Sequence, residues 1–237
     1  MNPRQITIGG IQIWVHGGQK YEQDVGTSKT IILGDEYHLS HFRNTPHQEN
    51  VSTIVDLGAN IGAFTLLARK TFPNARILAV EADPDNVEIL KKNTENDPNI
   101  EVYGMAVLGD GCPSTVHLGQ GSTNSGGSYV KEGNGEFNCP FIPDEYLEIP
   151  CISINQLLVE NLVNYIDLIK IDVEGSEGEI ISTLAKHDWP KRICWLRFEW
   201  HGKENLETIK RELSFTHELF IKESDSWNEL GLGHRKI

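Results

Sequence analysis

The chain has 237 residues, with 21 basic against 34 acidic side chains and a formal net charge of −13 at pH 7. That length suits one α/β domain with small additions, and an apolar fraction of 38% with 5 Trp, 6 Tyr and 8 Phe is enough to fill a core. So acidic a chain argues against a nucleic-acid partner gripped through its phosphates, and no apolar run reaches the about 18 residues of a membrane span.

The first residues, MNPRQITIGG, lack the apolar stretch of a signal peptide. Ile6 and Ile8 alternate with polar neighbours, Gly9-Gly10 offers a turn, and Ile11, Ile13 and Val15 resume the alternation, which predicts a β-hairpin. From about residue 50 the pattern changes to strands alternating with helices. VSTIVDLG is a strand ending in glycine, followed by a helix with Ile61, Phe64, Leu67 and Ala68 on one face. RILAVEA reads as the second strand, and Asp83-Pro84 as an N-cap with proline at the first helical position. IEVYGMAVLG reads as a third strand. The stretch from Asp110 to Pro150, rich in Gly, Ser and Asn, reads as an inserted loop or hairpin. Ser153-Ile154-Asn155-Gln156 has capping-box spacing ahead of another helix. IDLIKID is a nearly continuous apolar run, as a central parallel strand should be. A helix through Ile180, Ile181 and Leu184, the strand ICWLRFEW, a helix through Leu206, Ile209 and Leu213, and the strand HELFIKE complete the pattern. The alternation predicts a mostly parallel sheet with helices on both faces. It also predicts a hairpin and cap segment over residues 1–49 and a main domain over 50–237. Cys112, Cys139, Cys151 and Cys194 form no CxxC pair, so neither a zinc knuckle nor a disulfide framework is indicated and a reduced, cytoplasmic setting fits.

The chemistry concentrates at Val55-Asp56-Leu57-Gly58-Ala59-Asn60-Ile61-Gly62, where a strand delivers its carboxyl end into a glycine turn and a helix follows. Open α/β sheets bind their ligands at such a point. Gly58 and Gly62 are expected to let backbone approach the ligand, and Glu81 lies where a carboxylate grips the hydroxyls of an adenosine ribose. A dinucleotide site wants a second glycine where Asn60 stands, so that its pyrophosphate can approach the helix. Asp56 would also meet the pyrophosphate as an unwelcome negative charge. S-adenosylmethionine has no phosphate and carries a sulfonium and an ammonium, which an acidic loop suits.

VDLGANIGAFT, AVEADPDNVEILKKN, the Asn124-Ser125-Gly126-Gly127-Ser128 loop and, above all, IDLIKIDVEGSEGEII resemble the FkbM-type methyltransferases over roughly residues 50 to 202. The resemblance implies a class I, Rossmann-like S-adenosylmethionine-dependent fold of seven strands with the last one antiparallel. It implies methyl transfer to a hydroxyl of a sugar, glycan or polyketide-like small molecule. It also implies cofactor contacts from Asp56, Gly58, Ala59, Asn60, Gly62, Glu81, Ala82, Met105, Ala106 and Asp172, with adenine at the Met105-Ala106 step.

An aliphatic hydroxyl is a poor nucleophile until its proton is being removed, so a base helps. The candidate catalytic residues are Asp172, Glu174, His201 and Lys170, with Glu177 as a further acid. Strand alternation puts Lys170 and Asp172 on one side of the sheet. Asp172 is the first candidate for the base; the alternative is that it caps the following helix and pairs with Lys170 as scaffold. His201 titrates in the useful range, with Glu199 as its orienting partner only if the turn brings them together; otherwise it is a solvated strand end. Asn124, Ser128 and Tyr129 are lid candidates against a plain solvated turn, and Tyr37 and His38 are candidates to close over the cofactor. The remaining histidines, including His47 and His187, read as surface residues. No metal is indicated, since a solvated helix start accounts for Asp172, Glu174 and Glu177. Two alternatives remain for function: a catalytically silent S-adenosylmethionine-binding module, and an N-methyltransferase. The base-methylating form of the latter is disfavoured by Asp172-Val173-Glu174-Gly175 where an [DNS]-P-P-[YFW] motif would stand. A flavin or nicotinamide oxidoreductase is the fold-level rival.

Overall fold

The hairpin forms as expected: β1 (Arg4–Ile8) and β2 (Ile11–Val15) pair antiparallel about Gly9-Gly10, whose φ of 56° and 75° meet the twist of the strands. The computed structural model describes residues 2–43, 45–120, 129–131, 145–221 and 228–236. After the hairpin come α1 (Tyr21–Ile32) and the short α2 (Pro46–Asn50). The alternating region then runs β3 (Thr53–Leu57), α3 (Ala63–Thr71), β4 (Arg76–Glu81), α4 (Pro84–Thr94) and β5 (Ile100–Gly104). Next come β6 (Ala106–Leu108), β7 (Thr115–Gln120), β8 (Tyr129–Lys131) and β9 (Glu145–Ser153). The chain continues with α5 (Ile154–Glu160), β10 (Ile166–Ile171), α6 (Glu177–Lys186) and β11 (Ile193–His201). It ends with α7 (Lys203–Leu213), β12 (His217–Ile221) and β13 (Asn228–Arg235).

The main sheet has seven strands in the order β12-β13-β11-β10-β3-β4-β5, with β13 antiparallel to both of its neighbours. The strands from β11 to β5 are parallel. Connections leave β3 in one direction and β10 in the other, which opens a crevice at their carboxyl ends.

Side-chain alternation divides the interior into two cores. Ile54, Ile77, Ala79 and Leu168 face one layer, where they meet Ile13, Tyr37, Phe64, Leu67 and Phe72. Val55, Leu57, Leu78, Val80, Ile169 and Ile171 face the other, against Leu157, Ile180, Leu184, Trp189, Trp200 and Ile209. The hairpin and α1 belong to the first layer, so the N-terminal segment packs directly on α3 and the sheet. α3 buries Phe64, Leu67, Ala68 and Thr71 at helical spacing and ends on Arg69 and Lys70, whose charges suit the carboxyl end of a helix. Asp83 caps α4 by accepting from the amide of Asp85, with Pro84 in the first turn. Ser153 caps α5 through the amide of Gln156 at 3.1 Å, but Gln156 turns to Glu160 rather than back, so only half of the capping box forms.

Two expectations are corrected. The third strand is two: β5 stays at the edge of the main sheet, and after Met105 the chain leaves it as β6 to pair with β9. Ala106 and Leu108 pack in a small third core with Val116, Leu118 and Ile149, whereas Val107 faces the second large core. The segment from 110 to 150 is more than a loop or hairpin, because β6, β9, β7 and β8 form a four-stranded sheet. Asn124, Ser125, Gly126, Gly127 and Ser128 and Cys139 lie outside the described residues. Finally, α1 and β13 were given by no local pattern in the sequence.

The ends of β3 and β10 touch through backbone. A Cβ on Gly58 would stand 1.7 Å from the carbonyl oxygen of Asp172, and Gly58 has φ 75°. Gly58→Ala is therefore expected to destabilise the protein by at least about 3 kcal/mol in urea denaturation; a loss within about 0.5 kcal/mol would mean that the two strand ends are not in contact.

Candidate active site

A cavity of about 350 Å³ opens where β3 and β10 end. Gly58, Ala59, Asn60 and Ile61 of the β3–α3 turn form one wall, and Glu81, Ala82, Met105, Ala106 and Val107 another. Lys170, Asp172, Val173 and Glu174 enter from β10, Glu199 from β11, and Ser28 and Ile31 from α1, with Tyr37 across the opening.

The register pairs Asp56 with Lys170 across β3 and β10, and Lys170 with Arg197 across β10 and β11, so these three side chains share one face. Asp56 is fully buried and takes a hydrogen bond from the Thr65 hydroxyl at 2.5 Å. Lys170 is also buried. Its Nζ donates to the carbonyls of Gly58 at 2.6 Å and Leu57 at 3.3 Å, and lies 3.4 Å from Asp56 and 3.5 Å from Asp172. Burial works against the charged ammonium, but Asp172 and Asp56 outweigh it and hold its pKa above the ordinary lysine value. An ammonium so held is a cation that orients carboxylates, not a base. Burial in turn raises the pKa of Asp56, with Lys170 opposing.

Glu81 sits at the end of β4 on the cavity wall. Its carboxylate accepts from the amides of Asn60 and Asp83, each at 2.8 Å. Burial pushes it up to about 7 against those two hydrogen bonds.

The third group surrounds His201. Glu177, fully buried at the start of α6, accepts from the amide of Gly175 at 2.9 Å and meets His201 Nδ1 at 2.8 Å. Asn205 donates to its other oxygen at 3.1 Å. That carboxylate fixes the ring, and His201 Nε2 then points to Glu174 at 3.3 Å and Glu199 at 3.7 Å. Burial opposes the charged ring, yet the hydrogen bond it donates to Glu177 and the charges of Glu177, Glu174 and Asp172 push His201 up to about 9. Burial, and then the nearby charge of Asp172, push Glu174 up to about 8. The backbone of Glu174 has φ 57°, a strained setting for a residue with a side chain and one that functional sites often hold.

Of the expected cofactor residues, Gly58, Ala59, Asn60, Glu81, Ala82, Met105, Ala106 and Asp172 line the cavity. Asp56 and Gly62 lie behind the wall. Asp56 reaches the cavity only through Lys170, and a Cβ on Gly62 would meet Leu90 of α4 at 2.8 Å. Protein packing alone thus already leaves little room for a side chain at either Gly58 or Gly62. All four candidate catalytic residues converge on the cavity or its rim. Asp172 accepts from the Tyr37 hydroxyl at 2.9 Å, and the Gly178 amide in the first turn of α6 is taken by Asn205 Oδ1 at 3.1 Å rather than by Asp172. His201 is buried rather than a solvated strand end, and its orienting partner is Glu177, with Glu199 on the other nitrogen. Glu177 is no solvated helix start either. Tyr37 lines the cavity, edge-on to Phe64 with centroids 5.2 Å apart, whereas His38 stacks on His41. The surface reading fails for His217, which is buried and pushed down to about 4 by that burial, whereas His187 stays at the surface, 2.7 Å from Asp110. The side chains of His47 and Tyr129 lie outside the described residues. Glu36, Arg197 and Ser28 were not singled out from the sequence. Arg197 donates to the Tyr37 carbonyl at 2.7 Å and so anchors the segment over the cavity.

Among the described lining residues the wall carries five carboxylates, those of Glu36, Glu81, Asp172, Glu174 and Glu199, against the single ammonium of Lys170. Such a wall repels a pyrophosphate and attracts a donor with sulfonium and ammonium groups. The residues present therefore fit S-adenosylmethionine.

The model of the methyltransferase FkbM domain matches residues 56–223. The chain is 24% identical over 160 residues to the 31-O-demethyl-FK506 methyltransferase FkbM of Streptomyces tacrolimicus, a match covering 58% of this chain and 61% of that protein. It is 36% identical over 61 residues to the ornithine lipid N-methyltransferase of Singulisphaera acidiphila, covering 25% of this chain and 31% of that one. The chain thus spans less than two thirds of either relative. Trm5b from Pyrococcus abyssi shares the fold at a TM-score of 0.50 with 12% identity, covering 98% of this chain and 55% of that one. Among the described residues no helix is long and apolar enough to cross a membrane.

The proton balance around His201 has a measurable consequence. His201, raised from 6.5 to about 9, contributes stability that is full below pH 6.5 and lost as the pH rises through about 9. Glu174, raised from 4.5 to about 8, binds its proton more tightly in the folded state, so stability also falls as the pH rises from 4.5 through about 8, overlapping the His201 decline between about 6.5 and 8. The thermal midpoint is expected to fall between about pH 6.5 and 9, and Glu174→Gln is expected to make the decline shallower. A midpoint that climbs over this range would contradict the assignment.

Proposed function

We propose that this chain, which belongs to the FkbM methyltransferase family, moves the methyl group of S-adenosylmethionine onto a hydroxyl of a small molecule, a sugar, glycan or polyketide-like acceptor. The observation that carries the reading is the acid-lined cavity at the crevice of the sheet, with an oriented histidine–carboxylate cluster on its rim. When bound, S-adenosylmethionine supplies an electrophilic methyl on a sulfonium leaving group, so the protein needs to align the acceptor, exclude water and receive a proton.

Each task has a candidate. Glu81 is placed to hold ribose hydroxyls, and Met105, Ala106 and Val107 offer the apolar shelf beside it. Tyr37 and Phe64 shield the cavity from water, and the Tyr37 hydroxyl fixes Asp172. Glu174 receives the proton of the acceptor hydroxyl, because a carboxylate raised to about 8 is matched to that transfer near neutral pH. His201 stands beside it, and Lys170 lies 3.5 Å from Asp172. Asp172 then positions the acceptor rather than serving as the base.

The ornithine lipid N-methyltransferase among the relatives supports a second reading, transfer to an amine. Incubation with S-adenosylmethionine and parallel panels of hydroxyl and amine acceptors, with products resolved by mass spectrometry, separates the two. O-methyl products are expected; N-methyl products alone favour the second reading, and donor left unconsumed across both panels favours a silent binding module.

For the active enzyme, kcat/KM is expected to rise with pH through about 8, since Glu174 acts as the carboxylate. Glu174→Gln is expected to lower kcat by about 10²- to 10⁴-fold and to erase that rising limb, with the affinity for S-adenosylhomocysteine retained. An unchanged pH profile in the variant would assign the base elsewhere.

A further inference from the structure

We infer that Ser28 on α1 and the amino end of α3 together form the subsite for the amino-acid end of the methyl donor, an inference that rests on the donor proposed above. α1 places Gln23, Thr27, Ser28 and Ile31 on the cavity wall at the spacing of one helical face. Ser28 is fully buried, and its Oγ has no hydrogen-bond partner within the protein. A hydroxyl in that state is costly unless a ligand atom completes it.

The neighbouring wall supplies the rest. α3 packs beside α1, and Ala63 and Phe64 of its first turn line the same cavity. α3 has nine residues, no side chain caps its first amides, and its first turn contains no acidic residue. Uncapped amides at the positive end of a helix favour an anion. Elsewhere the wall is rich in carboxylates, and its one lysine is already committed to Asp56, Asp172 and two carbonyls. Between α1 and α3 a carboxylate entering this cavity therefore finds donors set apart from the acidic wall. The α-carboxylate of the donor accepts there from the Ser28 hydroxyl and from the first amides of α3. On this assignment the N-terminal segment completes the cofactor site and is not merely an addition beside it.

Calorimetry on the whole chain with two probes tests this. S-adenosylhomocysteine carries the amino-acid end, and 5′-methylthioadenosine lacks it. Ser28→Ala is expected to weaken the first about tenfold and to leave the second within about twofold. Alanine is favoured in a helix, so α1 stays folded, and unaltered methylthioadenosine binding reports that the adenosine site is intact. Unchanged affinity for S-adenosylhomocysteine, or an equal loss for both probes, overturns the subsite while leaving the donor in place. Absence of binding by the unsubstituted protein to either probe overturns the donor reading itself.

Discussion

The ammonium of Lys170 is the point on which the rest of the site depends. A buried charge is tolerated only when it is paired and hydrogen-bonded, and breaking such a pair costs about 3–5 kcal/mol. Here the partners are Asp56 on one side, Asp172 on the other, and the carbonyls of Leu57 and Gly58 beneath. Each partner belongs to a different piece of the machinery. The carbonyls belong to the turn after β3, Asp56 holds Thr65 of α3, and Asp172 holds Tyr37 over the opening. One cation thereby sets the relative placement of the β3–α3 turn, the end of β10 and the segment that covers the cavity. The closest approach, Gly58 against the Asp172 carbonyl, is possible because a glycine stands there.

Much of the fold is legible in the sequence because the parallel strands bury both faces and read as apolar runs, as in Ile166–Ile171. What escaped has a physical reason. α1 turns Asp24 and Ser28 inward beside Ile31 and Ile32, so its buried stripe does not read as apolar. Asp24 is inside because it accepts from the amide of His16 at 2.7 Å and meets its ring at 2.9 Å. β13 alternates Leu with Gly, and glycine usually speaks against a strand. The space is taken by neighbours: a Cβ on Gly231 would lie 2.2 Å from the Phe198 ring, and one on Gly233 would lie 3.0 Å from Leu219. The third strand looked continuous because Ile100, Val102, Ala106 and Leu108 keep one alternation across Met105, although they serve different cores.

The site was legible as a position more than as a set of contacts. The strand–glycine–helix pattern and Glu81 point to the crevice, and the crevice is there. The roles of individual residues depend on depth, which spacing along the chain does not encode. Asp56 and Glu81 both end or nearly end a strand, yet one is behind the wall and the other on it. His201 resembles a solvated strand end until Glu177, 24 positions away in sequence, is placed 2.8 Å from its ring. Tyr37 and Arg197 are 160 positions apart and meet because a segment outside the alternating region folds back over β11.

Depth also explains why so many like charges can share one rim. Glu174 and His201 each keep a proton more tightly than usual because burial disfavours the carboxylate, while clustered acids favour the imidazolium. The protein thus meets the repulsion among Asp172, Glu174 and Glu199 partly by holding protons. A cation brought into the cavity relieves the same repulsion by a different route, so cation and proton compete for the cluster. Under the proposed transfer to a hydroxyl, occupation by a sulfonium draws Glu174 toward its ionised form, the form that would receive the acceptor's proton. On that proposal, the electrostatic feature that suits the donor is also the one that readies the base.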